Sequence, residues 1–173
     1  MDFLSDRNIE MHKQYLNTLI LRYQIFEKSY RELVGKDISG IYRSSIPLSE
    51  KANAAKLFAE IEAHKIYFSS FSNNSRNCLR LKEQYGSIDS FLFEAYKTAL
   101  DSSCGFLFVY EYRGALRIYA GAEYIEKIAS SKVILALDLC EHAYFYDYGF
   151  NREKYFSQAI SHFDLSKCEK SVN

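Results

Sequence analysis

The stretch that decides the fold is KVILALDLCEHAYFYDYGFNREKYF, residues 132–156. It opens as a short, almost unbroken apolar run from Val133 to Leu137, the pattern of a strand buried on both faces. The run ends on Asp138. From Glu141 the pattern reads as helix, interrupted once at Gly149. Asp138 and His142 stand four residues apart where the strand gives way. If the connecting turn is helix-like, their ligand atoms face one point. Taken alone, such an Asp-x-x-x-His spacing serves an ion pair or a cap as readily as a metal.

Upstream of it, two further β-rich runs follow Gly105, FLFVYEY (106–112) and ALRIYAG (115–121), and Arg113-Gly114 between them reads as a hairpin turn. IDSFLFEAYKTALDSS (88–103) is helical, with Ser87 or Asp89 as its cap. SNNSRN (72–77) is a polar break. Two long helices precede it. In the first, from about Asn8 to Val34, Met11, Tyr15, Leu16, Leu19, Tyr23, Ile25 and Phe26 recur at helical spacing. The second is SEKANAAKLFAEIEAHKIYFSSF (49–71), with Ser49 as cap; Gly35, Gly40 and Pro47 mark the connection. This order predicts an α+β fold. An N-terminal antiparallel helical hairpin (residues 1–85) packs on a mixed C-terminal domain (86–173) with a three-stranded antiparallel sheet flanked by helices.

Composition bounds the function. The chain has 173 residues, 48% hydrophobic and 16% aromatic, enough for a sizeable core, and a formal net charge of zero. That charge gives no broad attraction for nucleic acid or an anionic membrane, and neither is expected as a partner. No apolar run reaches the roughly 18–20 residues needed to span a bilayer. The four cysteines, Cys78, Cys104, Cys140 and Cys168, are spaced like neither a zinc ribbon nor a disulfide framework and read as reduced thiols. With no signal-peptide layout at the N-terminus, the expected location is the cytoplasm.

The four histidines are His12, His64, His142 and His162. His12 and His64 fall near the middles of the two long helices, where a lone His is usually a packed or surface residue. Order and flanks change that reading. His12 after IEM, His64 in HKIYF behind LSEKANAA, then GSIDSFLFEAYKTAL, CGFLFVY, LRIYAG and the Asp138–His142 string together resemble the iron/manganese superoxide dismutases over nearly the whole chain. Asp147, Tyr148, Arg152 and Tyr155 continue the match. The resemblance implies that His12, His64, Asp138 and His142 hold one Fe or Mn ion per chain, at a site between the two domains. It also implies a homodimer in which Glu141 reaches a ligand His of the other subunit. Three imidazoles and a carboxylate suit either metal and leave a position open for water or a small oxygen species.

The residues around those four ligands depart from the family. It expects a His and then a Tyr at successive turns after His12, where this chain has Leu16 and Ile20. The family's partner-subunit Tyr falls on Phe145, so both ends of a cross-subunit hydrogen bond are absent together. The amide beside the metal-bound water corresponds to Glu60 in iron-type members and to Tyr124 in manganese-type members. Tyr15, Tyr23 or Tyr124 is expected to reach the site in place of the missing Tyr. Cys140, Phe106 and Phe108 stand where the family has Trp, and Cys140 in that wall makes room for something larger than superoxide. His162 lies outside the ligand set. Glu60, Tyr124, Glu141 and Tyr15 are therefore the expected catalytic residues. The expected function is an Fe- or Mn-dependent oxidoreductase that dismutes superoxide weakly. A repurposed oxidase or oxygenase, using dioxygen on a small organic substrate at the same metal, stands beside it, and a non-catalytic structural module is third.

Overall fold

Helix α1 (Asp6–Ser29) starts where Ser5 accepts a hydrogen bond from the Asn8 N–H at 3.2 Å, satisfying one of the helix's orphan donors. The Asp147 carboxylate in turn accepts from the Ser5 N–H and hydroxyl, both at 2.7 Å. This ties the first turn of α1 to the far end of the chain. The helix buries Asn8, His12, Leu19 and Tyr23. The computed structural model describes residues 1–72, 77–122 and 124–169, without the side chains at 124 and 125.

After α1 the chain makes a short 3₁₀ turn (Arg31–Leu33) and a helix α2 (Ile38–Arg43) capped by Asp37. The glycine signals at 35 and 40 pointed to a plain connection there. Ile38 and Ile41, both buried, are what fold it into a turn of helix. Helix α3 (Leu48–Ser69) begins after Pro47, which fixes its own φ and lacks an N–H to satisfy. Ser49, expected as the cap, therefore lies inside the first turn. Ala54, Ala55, Ala59 and Ala63 are buried in α3. Their small side chains let this helix pack closely against α1, α2 and the sheet.

Most of the predicted polar break at residues 72–77 lies outside the described residues. A helix that the sequence reading did not anticipate, α4 (Leu79–Tyr85), follows it. Helix α5 (Ile88–Asp101) is capped by Ser87, so of the two expected candidates Asp89 sits within the first turn instead. Strands β1 (Phe106–Tyr112), β2 (Ala115–Gly121) and β3 (Lys132–Asp138) form one antiparallel sheet in the order β2-β1-β3. The β1–β2 turn has positive φ at both Arg113 and Gly114, as a two-residue hairpin loop whose twist matches its strands requires. Helix α6 (Tyr124–Ser130) carries the chain from β2 to β3. Beyond β3 come a 3₁₀ turn (Glu141–Ala143) and the helices α7 (Phe145–Tyr148), α8 (Arg152–Ser161) and α9 (Ser166–Glu169). The predicted interruption at Gly149 is the break between α7 and α8.

Three joints position the end of β3. The Ser70 hydroxyl, at the end of α3, accepts from the Ala136 N–H at 2.8 Å, locking helix to strand. The Asn8 amide of α1 donates to the Ala143 carbonyl at 2.6 Å, holding the turn after β3 against the first helix. Gly105 is the third joint. Its carbonyl accepts from the Leu139 N–H at 2.9 Å and its N–H donates to Cys140 Sγ at 3.3 Å. Its φ is +90°, and a Cβ there would stand 2.1 Å from the Gly121 carbonyl oxygen, so only glycine fits. Among the described residues no helix is long and apolar enough to cross a membrane.

Candidate metal centre

His12 lies on α1, His64 on α3, Asp138 on the last residue of β3 and His142 in the 3₁₀ turn that follows. The fold brings all four together: one ligand atom from each lies within 4.8 Å of every other. The geometry has a single focus. The Nε2 atoms of His142, His12 and His64 stand 2.8, 3.2 and 3.3 Å from the same oxygen, Asp138 Oδ2. The Nε2 atoms of His64 and His142 are 3.4 Å apart. Side chains of His12, His64 and Asp138 are at most 1% exposed, and that of His142 is 31% exposed. The cluster is thus a buried floor of three groups with one rim ligand open to the surface.

Hydrogen bonds at the back of the cluster orient its donors. His64 Nδ1 donates to the Glu60 carbonyl at 2.7 Å, which leaves Nε2 as the lone-pair atom aimed at the focus. Asp138 Oδ1 accepts from the Cys140 N–H at 2.9 Å, so Oδ2 is the oxygen left for the cluster. Its backbone carbonyl accepts from the buried Tyr155 hydroxyl at 3.1 Å. Burial works to raise the Asp138 pKa, but the imidazoles of His12, His142 and His64 gathered around its carboxylate together hold it well below the usual carboxylate range. His12 is pushed down by burial against the pull of Asp138. On His142, burial is outweighed by Asp138 and by Glu60, and its pKa rises.

The residues fit a metal ion. Both ring nitrogens of His12 are buried without a hydrogen-bond partner; the 3.2 Å approach of its Nε2 to Asp138 is poorly directed for a hydrogen bond. A buried polar atom left unpaired costs roughly 1–3 kcal/mol, and three neutral imidazoles pointing lone pairs at one carboxylate would repel it. Four donors each about 2.1 Å from a shared centre would stand roughly 3–3.5 Å apart, close to the 2.8–3.4 Å at which the three Nε2 atoms stand from Asp138 Oδ2 and the His64 and His142 Nε2 atoms from each other.

Aromatic rings wall the site. Phe106 meets His64 edge-on at 5.2 Å between centroids, and it stacks on Phe108. Tyr67 and Phe68 pack on His12 at 4.8 and 5.0 Å. Sequence reasoning did not single out these last two, nor Asn8. Their positions one turn from His64 and from His12 were the available signal.

The expected catalytic residues divide. Tyr15 lies over His142 with ring centroids 4.2 Å apart, and its hydroxyl donates to Glu60 Oε1 at 2.6 Å. Burial and the Glu60 hydrogen bond both push the Tyr15 phenol well above its ordinary pKa. Tyr15 and Glu60 therefore form a pair beside the rim ligand. Tyr23 packs on Phe58 instead, and the Tyr124 side chain lies outside the described residues. Glu141 is exposed in the turn next to His142. Leu16 and Ile20 are half-buried and packed against the core, while Phe145 is exposed against Phe150. The Cys140 thiol is pushed up to about 12, chiefly by burial, and is a poor nucleophile at neutral pH. His162 bonds the Gln158 carbonyl and packs on Phe3, apart from the cluster.

The decisive comparison is with known families. Residues 73–171, more than half of the chain, match the family described as iron/manganese superoxide dismutases, C-terminal domain. The chain belongs to the iron/manganese superoxide dismutase family. No curated protein matches it. Within that family, Asp138 and His142 lie in the matched part, and His12 and His64 are brought to them by the helices that precede it. The helix-rich N-terminal region and the three-stranded antiparallel sheet flanked by helices agree with the family fold.

Proposed function

We propose that the chain binds one iron or manganese ion through His12, His64, Asp138 and His142 and acts as an oxidoreductase on superoxide. The observation that carries this reading is the convergence of three imidazole Nε2 atoms on Asp138 Oδ2 in a largely buried pocket. The ion would supply one-electron chemistry by alternating between its +3 and +2 states. The chain's own residues hold the donors, exclude bulk water and manage protons. Asp138, kept ionised by its neighbours, offsets part of the ion's charge. The carbonyl of Glu60 fixes the His64 tautomer, so that Nε2 and not Nδ1 faces the centre.

Reduction of superoxide to peroxide consumes protons, and Tyr15 Oη is the group placed to hold one. Its raised pKa keeps it protonated at neutral pH, and it stands between His142 and Glu60. Glu60 lines a surface cleft through which water reaches the pair. In this reading the Tyr15–Glu60 pair does the work that the family assigns to a tyrosine and an amide at other positions. A slower dismutase is the expected result, because a carboxylate replaces the amide beside the site.

A second reading, dioxygen chemistry on a small organic substrate, is favoured by one observation: the cleft beside Glu60 is far larger than a diatomic anion needs. For assembly we propose a homodimer through the face that carries Glu141, Phe145 and Phe150, three exposed residues next to the rim ligand. The first test is metal content and dismutation rate measured on one purified sample. Near one Fe or Mn per chain with turnover supports the proposal. The same metal without turnover favours the second reading, and no metal after reconstitution overturns both.

A further inference from the structure

Tyr15, Arg22 and Phe26 recur on α1 at intervals of seven and four residues, which places them on one stripe of the helix. Asn53, Lys56, Leu57 and Glu60 do the same on α3 at i, i+3, i+4 and i+7. The two stripes line a cleft of about 560 Å³ between the helices. Its inner end is the Tyr15–Glu60 hydrogen bond beside the metal ligands. Two cations, Arg22 and Lys56, lie farther along the stripes, and among the described residues neither is engaged in an ion pair. Phe26 and the buried Leu57 supply apolar wall. A volume of this size is typical of sites for small organic molecules.

We propose that this cleft is a binding site for a small organic carboxylate with an apolar body, held at its charged end by Arg22 and Lys56 and presenting its other end to Tyr15 and Glu60. The charge order explains the polarity of binding. A carboxylate at the inner end would meet Glu60, whereas one to two turns farther along it meets two cations, one a guanidinium able to bind both oxygens. The body then lies over Leu57, which stands between Lys56 and Glu60 on α3, while Phe26 and Asn53 stand about a turn beyond the cations and close the outer end of the cleft. The inference deepens the proposed function in that the bound molecule would end beside the metal ligands. It rests on the Tyr15–Glu60 pair and not on a bound ion.

The experiment is calorimetric titration of the full-length chain with 3-phenylpropionate, and with the neutral 3-phenylpropanol as control, at recorded metal content. Saturable binding of the acid with the alcohol at least about tenfold weaker is expected. The variant R22Q/K56Q, both positions being on the surface, should lose about tenfold or more in affinity while circular dichroism and melting temperature stay unchanged. His64→Ala should lose metal yet keep the binding. That outcome separates the two proposals, because metal loss with binding intact leaves the cleft assignment standing whatever becomes of the redox reading. No saturable binding up to about 10 mM, equal binding of the alcohol, or undiminished binding by R22Q/K56Q overturns the inference.

Discussion

The floor and the rim of the metal centre are built differently. The floor groups, His12, His64 and Asp138, are almost wholly buried: His64 and Asp138 are each held by a local hydrogen bond, to the Glu60 carbonyl and from the Cys140 N–H, and His12 by packing on Tyr67 and Phe68. The rim, made of His142, Tyr15 and Glu60, is half open: His142 bonds to Asp138, Tyr15 bonds to Glu60, and the Tyr15 ring lies over His142. The three floor groups and His142 supply the donor set that could hold a metal, whereas Tyr15 and Glu60 on the rim stand where the resemblance expects other residues. Packing explains the contrast. A change on the floor disturbs two helices and a sheet together, but a change on the rim disturbs one hydrogen bond next to water.

The sharpest way to break that contrast is Asp138→Ala. It removes the oxygen on which all three imidazoles converge, so metal content should fall to near zero and the melting temperature should drop. Losing one partner of a buried ionic cluster costs roughly 3–5 kcal/mol. Near-stoichiometric metal in that variant would end the site assignment. His142→Gln, on the rim, should weaken metal binding yet leave a measurable fraction loaded; complete loss would make floor and rim equivalent. Tyr15→Phe should keep the metal and slow any proton-dependent turnover about a hundredfold. An unchanged rate would take Tyr15 out of the relay. Smaller still is Glu60→Gln, which restores an amide, keeps the metal, changes its spectrum and alters turnover by less than about tenfold.

The last effect is one of pH on the metal-free chain. The folded pKa of His142 lies above its ordinary value, so its contribution to stability is present below about pH 6.5 and lost as pH rises through the higher folded value. His142→Ala should therefore lower the metal-free melting temperature more at about pH 5 than at about pH 9. Bound metal should reverse that order, because an ion competes with the proton for the same nitrogen. A difference that does not vary with pH would mean that the rim histidine gains little from Asp138.

Much of this architecture was legible in the residues. The apolar run ending at Asp138, the Arg113-Gly114 turn and the amphipathic spacing of α1 and α5 name their elements, because burial and backbone sterics act locally there. The short helices α2 and α4 were not legible. Both lie in polar, glycine-punctuated stretches, and one or two buried side chains, such as Ile41 and Leu81, decide their conformation from tertiary context. At the site, the four residues that cluster, His12, His64, Asp138 and His142, stood out by their order along the chain. Tyr15 was harder to place. It sits three residues after His12, whereas the resemblance puts the family's Tyr at Ile20, and its partnership with Glu60 depends on how α1 and α3 face each other across the cleft. No spacing rule within one helix contains that information.

One feature at Glu60 bears on how such a centre can change over generations. The bond that orients His64 comes from the backbone carbonyl of residue 60 and not from its side chain. All twenty amino acids carry that carbonyl. The side chain at position 60 can therefore be exchanged freely, from amide to carboxylate and back, without turning the imidazole away from the ion. A lineage can explore new reactivity at this position while its metal site stays in register, and a protein engineer can use the same position as a dial.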